Sequence, residues 1–431
     1  MRQTTTTVQP IGAFAFPTGL LLISDELSNP EVDRARAGLI DGRLPDAWPP
    51  ELRGHELAHA DDLAGAAAFF AKAATDDVTA AFNHYVLAPD GVDTAALRSR
   101  LPEQLQPLVD AVRYMLGDLD HLGDASSSAV EVTALLDSVR ATELLSNGDP
   151  RAAAAMLHEC SEAVAEVAPP LSAMLLGNAG TILAEHGLDL DVALDDLRVA
   201  CLGLNGTDLP VARAELHLQL GLLIHAAAAA GRMPLKDAVD EYYTALQLVD
   251  RQLAPYVWAG AHMNLGTAYL TMPMVEASDQ LRSGIAMQSL RAALEVFTVE
   301  DHPAEWASAT LNLANALVYT PSTHQGDNIV EAVERYEEVL ATRDRATDPL
   351  GRARILANLG NALAHLGIFD HAKSRLYEAR FLFEEALDHD SAMMVRSILD
   401  EISRETVPDS GRGGQALPAR PQRPPEEAVT P

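Results

Sequence analysis

A paired-helix pattern written five times between about residues 170 and 385 constrains this chain more than any single residue. The first half of each copy ends in a short cluster: Asn178-Ala179-Gly180, Gln219-Leu220-Gly221, Asn264-Leu265-Gly266, Asn312-Leu313-Ala314 and Asn358-Leu359-Gly360. The second half carries a small-large-small triplet, at Ala193/Leu197/Ala200, Ala238/Tyr242/Ala245, Ala286/Leu290/Ala293, Ala332/Tyr336/Val339 and Ala372/Leu376/Ala379. The leading alanines recur at intervals of 45, 48, 46 and 40 residues, and a weaker copy at Ala153/Leu157/Cys160 precedes them by 40. Such repetition predicts an array of helical hairpins, each burying its faces only against its neighbours.

The pattern has a packing reason. Where two helices cross closely, Gly and Ala let the backbones approach while Leu and Tyr fill the spaces between. Gly187 and Gly367 stand where a left-handed residue ends a helix. Truncation inside 170–390 is therefore expected to destabilise the whole array.

The residues also resemble a known family. The Leu-Gly step, the aromatic or Leu that follows it (Tyr269, Leu317, Leu363) and the triplet are similar to the packing positions of the tetratricopeptide repeat. Trp258 and Trp306 fall near, though not on, the family's aromatic position. The resemblance covers roughly residues 128–400 and implies an all-α fold, an α-α superhelix of antiparallel helix pairs. The period departs from the family's, which is about 34 residues; longer turns and linkers absorb the difference. His302-Pro303-Ala304-Glu305-Trp306-Ala307 also looks like the long repeats of some bacterial signalling proteins.

Around the repeats, residues 1–50 are weakly patterned and rich in proline. Residues 51–125 read as a helical cap, 126–404 as the solenoid, and 405–431 as a disordered Pro/Gly/Arg-rich tail whose Pro418-Ala419-Arg420-Pro421 spells the core of a polyproline-II ligand. The formal charge of −31 comes from 62 acidic against 31 basic residues. A phosphate backbone would be repelled, which excludes nucleic acid as a partner and favours basic or neutral ones. No apolar run reaches the roughly 18 residues of a membrane span, and Pro17 interrupts the apolar stretch near the N-terminus, so neither a membrane anchor nor a signal peptide is expected. Cys160 and Cys201 fall in apolar stripes and read as free thiols of a cytoplasmic protein. Only three of the basic residues are Lys, which, with abundant Ala, suggests a high-GC bacterial source.

Two constellations are candidates for function. The first is a column of carboxamides, Asn178, Gln219, Asn264, Asn312 and Asn358, in the same phase of all five copies, with Thr267, Asn315 and Asn361 three residues on and Arg354 four before. Helical spacing places these side by side. In tetratricopeptide solenoids this face lines the concave groove, and the column resembles the asparagine ladder of the O-linked N-acetylglucosamine transferase superhelix. The resemblance implies sequence-tolerant hydrogen bonding to the main chain of an extended peptide. The alternative is that each Asn bonds only to neighbouring backbone.

The second is His55-Glu56-Leu57-Ala58-His59, the H-E-x-x-H spacing that sets two imidazoles on one helix face to hold zinc beside a general base. Gly54, the charged Arg53, Asp61 and Asp62, and the lack of a third ligand in sequence weigh against it, and the motif reads better as a solvated helix start. The expectation is thus a non-enzymatic scaffold or adaptor without cofactor or metal, binding a segment of another protein in its groove. A zinc hydrolase using His55, Glu56 and His59 is the alternative, and self-association through the solenoid's ends a third possibility.

Overall fold

The computed structural model describes residues 8–23, 29–122, 127, 129–272 and 279–406. The proposed tail at 405–431 and its polyproline motif therefore lie almost wholly outside the described residues. The chain divides into two compact units, Met1–Ala227 and Ala228–Pro431.

Unit 1 begins with a two-residue antiparallel ribbon, β1 (Gln9–Pro10) against β2 (Leu22–Ile23), pairing Gln9 with Ile23 and Pro10 with Leu22. The helices α1 (Pro30–Ile40), α2 (Arg53–His59), α3 (Leu63–Ala71), α4 (Val78–Leu87), α5 (Thr94–Arg100) and α6 (Gln106–Met115) follow. Pro30, one of the prolines of the weakly patterned first 50 residues, opens α1. Its fixed φ suits the first helical position, and Asn29 caps the helix by accepting from the Glu31 and Val32 amides at 3.0 and 2.9 Å.

The longer hairpin helices of unit 1 are α7 (Val130–Ser146), α8 (Pro150–Val164), α9 (Pro169–Glu185) and α10 (Leu190–Gly203), with α11 (Pro210–Ala229) reaching the division. The N-terminal segment is tied to the loop before α11. The Asp208 amide donates to the Gly42 carbonyl at 2.8 Å, and the Asp208 carboxylate accepts from the Leu44 amide at 2.8 Å. One core runs from Leu20, Leu21 and Leu22 through α3, α4 and α6 into Val132 and Leu136 of α7.

Unit 2 holds α12 (Leu235–Leu248), α13 (Pro255–Thr271), α14 (Asp279–Ala293), α15 (Pro303–Tyr319), α16 (Gln325–Thr342), α17 (Pro349–His365), α18 (Phe369–Glu385) and α19 (His389–Thr406). Each helix packs on the next, and α13, α15, α17 and α19 also touch in turn. Contacts between neighbours and between alternate helices are the mark of a solenoid.

A repeated proline starts the first-half helices. Pro169, Pro210, Pro255, Pro303 and Pro349 each occupy the first helical position of α9, α11, α13, α15 and α17. The residue before a proline is pushed out of the helical region, as at Ala254 (φ −147°, ψ 75°) and His302 (φ −138°, ψ 61°). The same signal thus ends the linker and begins the helix in every copy.

The small-large-small rule holds at atomic distance. A Cβ added to Gly360 of α17 would lie 2.6 Å from Leu376 Cγ and 3.2 Å from the Ala372 carbonyl, both from the α18 triplet. Gly266 meets Leu290 and Ala286 of α14 in the same way, at 2.8 and 3.0 Å. The large members of the triplets, Leu197, Tyr242, Leu290, Tyr336 and Leu376, are all fully buried. Gly367 ends α17 at φ +74°, and the following Ile368 amide donates back to Leu363 at 3.0 Å, the double-backed cap that left-handed glycine permits.

Candidate functional site

The H-E-x-x-H residues are helical, in α2, and the first of them, His55, is spent on holding the N-terminal ribbon. His55 is 2% exposed, not solvated as expected. Its Nε2 lies 3.1 Å from the Leu22 carbonyl, so this nitrogen carries the proton and donates. The same carbonyl accepts from Asn83 Nδ2 at 2.7 Å, while the Leu22 amide donates to Asn83 Oδ1 at 2.7 Å. Asn83 and His55 together satisfy a buried strand edge that would otherwise carry orphan polar groups. Burial pushes the His55 imidazole down to about 4, against the opposing pull of its bond to Leu22.

The other members of the motif are also committed. Phe70 meets the His55 ring edge-on at 5.3 Å, and Gly54 leaves room for that ring, since a Cβ there would lie 2.5 Å from Phe70 Cζ. Glu56 pairs with Arg53 at 2.5 Å. His59 packs against Phe14 and Trp48, and burial lowers its imidazole as well. Among the described residues no group of three His, Cys, Asp or Glu is placed to hold a metal ion. With its Nε2 proton given to Leu22, His55 plays the part of a clamp, and nothing in its surroundings favours the zinc hydrolase.

The carboxamide column behaves differently in the two units. In unit 1, Asn178 of α9 is exposed and Gln219 of α11 is half-buried. In unit 2, Asn264, Asn312 and Asn358 are half-buried on α13, α15 and α17 and take part in a chain of bonds. Asn264 Nδ2 donates to the Gly260 carbonyl at 2.8 Å, one turn back in its own helix. Asn312 Nδ2 donates across to Thr267 Oγ1 at 3.0 Å, and Thr267 donates to the Met263 carbonyl at 2.9 Å. Because the Thr267 proton is already used, its oxygen can only accept, which fixes the orientation of the Asn312 amide.

One repeat further, Asn315 Oδ1 is a shared acceptor. It takes the Tyr336 hydroxyl at 2.6 Å and Asn358 Nδ2 at 3.3 Å. Asn361 Nδ2 donates to the Tyr319 hydroxyl at 3.0 Å. The alternative made from sequence, that each Asn bonds to its own surroundings, holds for these three: one donor hydrogen of each ties turns or helices together. The Oδ1 atoms of Asn264, Asn312 and Asn358 accept nothing among the described residues. Arg354 is exposed at the start of the same stripe on α17.

Tyr319 and Tyr336 are the partners that sequence reasoning missed in this network. Tyr336 stood out as the large member of a triplet, and its ring is indeed core, but its hydroxyl reaches past the core to Asn315. Burial raises both phenols above their ordinary range, Tyr336 well above it and Tyr319 with its Asn361 bond opposing. Only the hydrogen-bond geometry shows this second duty.

Comparison with solved structures places the fold. The chain is similar to a signal transduction ATPase with a tetratricopeptide repeat sensor from Pyrococcus horikoshii, at TM-score 0.50 and 14% identity, over 84% of this chain and 55% of that one. It thus spans about half of that protein's length. A weaker likeness, TM-score 0.24 at 13% identity over 87% of this chain and 92% of the other, is to the Cut9-Hcn1 hetero-tetramer of the APC/C, too low to bear on the fold. No family model and no curated protein matches the chain. The fold is a tetratricopeptide-like α-solenoid. Among the described residues no helix is long and apolar enough to cross a membrane.

Proposed function

We propose that this chain is a non-catalytic interaction scaffold that binds an extended segment of a partner protein along the first-half helices of unit 2. The observation that carries the reading is the aligned face of α13, α15 and α17, where Asn264, Asn312 and Asn358 keep their Oδ1 acceptors unused while their amide nitrogens are braced from within. Bracing lowers the cost of ordering a side chain on binding, so such acceptors are pre-organised for a ligand's N–H groups. A role for the repeats in ligand recognition fits the archaeal ATPase, whose tetratricopeptide repeats are named a sensor. Adaptor, assembly and regulatory roles all use this same surface.

The test is partner recovery from the source cell by affinity purification with the wild-type chain and with Ser308→Trp. Ser308 is half-buried on α15, one turn before Asn312, and forms no hydrogen bond through its side chain among the described residues, so a bulky residue there blocks the face without removing a brace. Loss of a specific partner from a Ser308→Trp protein that still unfolds cooperatively supports the reading. Equal recovery by both proteins overturns it.

A further inference from the structure

An open cleft of about 370 Å³ lies between the end of α14, the turn that follows it, α15 and α16. Its size falls within the range that holds small molecules, about 300–1,000 Å³. Trp306 and Leu313 are seven residues apart, two helical turns, and so share the face of α15 that looks into it. With Leu294 and Phe297 they form an apolar floor, Phe297 and Leu313 buried, Leu294 and Trp306 half-buried.

The turn that makes one wall is ordered by its own bonds. Thr298 Oγ1 donates to the Asp301 carboxylate at 3.2 Å and accepts from the Asp301 amide at 3.1 Å, and the His302 amide donates to the Thr298 carbonyl at 3.0 Å. Glu300 is therefore presented to the cleft from a segment that costs little to order on binding.

Both signs of charge line this space. Arg291 reaches it from α14, Arg335 from α16 and Glu300 from the turn. Arg291 Nη2 donates to Glu331 Oε2 at 3.0 Å and to Oε1 at 3.3 Å, and Arg335 Nη1 donates to Glu338 Oε2 at 3.2 Å. Each guanidinium is thus held by an ion pair and keeps donors in hand: among the described residues Nε and Nη1 of Arg291 and Nε of Arg335 have no partner. The exposed Glu300 carboxylate has none either among the described residues.

These charges decide what fits. Two guanidiniums stand among three carboxylates, those of Glu300, Glu331 and Glu338, so a plain anion meets repulsion from the acids and a plain cation from the arginines. A molecule with one charge of each sign satisfies both, since a planar guanidinium suits a carboxylate and Glu300 accepts from an ammonium. The floor adds room for an apolar body.

We propose that this cleft binds a free α-amino acid with a large apolar side chain. Its carboxylate accepts from Arg291 and Arg335, its ammonium donates to Glu300, and its side chain rests on Trp306 and Leu294. None of Asn264, Asn312 and Asn358 lines the cleft, so this site stands apart from the groove reading above.

The experiment is isothermal titration calorimetry of the purified full chain with L-phenylalanine and L-leucine, and with 3-phenylpropanoate and 2-phenylethylamine, which lack the ammonium and the carboxylate respectively. Both amino acids are expected to bind. Each analogue should bind about 10-fold or more weakly than L-phenylalanine, because it forfeits a charge-assisted hydrogen bond. Glu300→Gln and Arg335→Gln should each weaken L-phenylalanine about 10-fold while the protein still unfolds cooperatively, since neither side chain holds more than surface ion pairs. Glu300→Gln should leave 3-phenylpropanoate unaffected. No heat from either amino acid, either analogue binding as tightly as L-phenylalanine, or binding that ignores both substitutions overturns the proposal.

Discussion

Asn312 Nδ2 on α15 donates to Thr267 Oγ1 on α13 at 3.0 Å, joining the first-half helices of successive hairpins through residues 45 apart in sequence. The bond lies on the solvent-facing stripe, outside the hydrophobic layer made by the triplets. It therefore braces the candidate site and the fold at once.

Removing either partner should weaken unit 2 measurably. Asn312→Ala and Thr267→Val are each expected to cost about 1 kcal/mol in urea unfolding, the usual net worth of one hydrogen bond. The double variant should cost less than the sum, since both changes delete the same contact. Strict additivity would show that the two side chains do not meet.

His55 should make unit 1 acid-sensitive. Its folded-state pKa lies at about 4, below the ordinary 6.5 of the unfolded chain, so between these values the unfolded state binds more protons. Stability is then full above pH 6.5 and falls as pH drops toward 4, by about 3 kcal/mol in total at 1.36 kcal/mol per unit. His55→Gln keeps a donor for the Leu22 carbonyl but does not titrate. Its unfolding midpoint should vary much less over this range than that of the wild type.

Glycine substitutions should divide by what surrounds them. Gly360→Ala places a methyl 2.6 Å from Leu376 Cγ and is expected to destabilise by about 1–3 kcal/mol through overpacking. Gly284, exposed in the interior of α14, has nothing within 4 Å of an added Cβ. Gly284→Ala should stabilise by about 0.5–1 kcal/mol, the helix propensity difference. Thermal unfolding of the two variants side by side checks both signs.

Gly54→Ala should damage the N-terminal clamp. The added methyl would fall 2.5 Å from Phe70 Cζ and 2.8 Å from Phe69 Cδ1, and both rings must move to admit it. Since Phe70 packs edge-on against His55, the shift should also loosen the Leu22 contact. Faster amide exchange at Leu22 and a lower midpoint for unit 1 are expected; an unchanged exchange rate would mean that the aromatic pair can give way without disturbing the ribbon.

Much of the solenoid was legible from residues alone because its rule is local and repeated. A hairpin whose Gly must admit the Leu of the next helix advertises itself each time it recurs, as Gly266 with Leu290 and Gly360 with Leu376 do. The prolines at 169, 210, 255, 303 and 349 were an equally regular signal, readable as the first residues of helices once their phase against the Asn column is noticed. The site was legible only in part. Phase placed Asn264, Asn312 and Asn358 on corresponding faces, but which of their polar atoms are used internally depends on partners from other turns and helices, Gly260, Thr267 and Asn315.

The H-E-x-x-H segment shows the opposite case. From sequence the motif read better as a solvated helix start than as a metal site, and Arg53 and His59 are indeed exposed, but His55 is buried, because the partner that decides the matter, the Leu22 carbonyl, is 33 residues away in a ribbon too short to announce itself. Sequence determined the repeat, the helix starts and the packing faces, since each follows from side-chain size and backbone preference within one or two turns. Tertiary structure decided the protonated nitrogen of His55 and the unspent oxygens of Asn264, Asn312 and Asn358, because hydrogen-bond saturation and burial depend on atoms that meet only when distant segments pack.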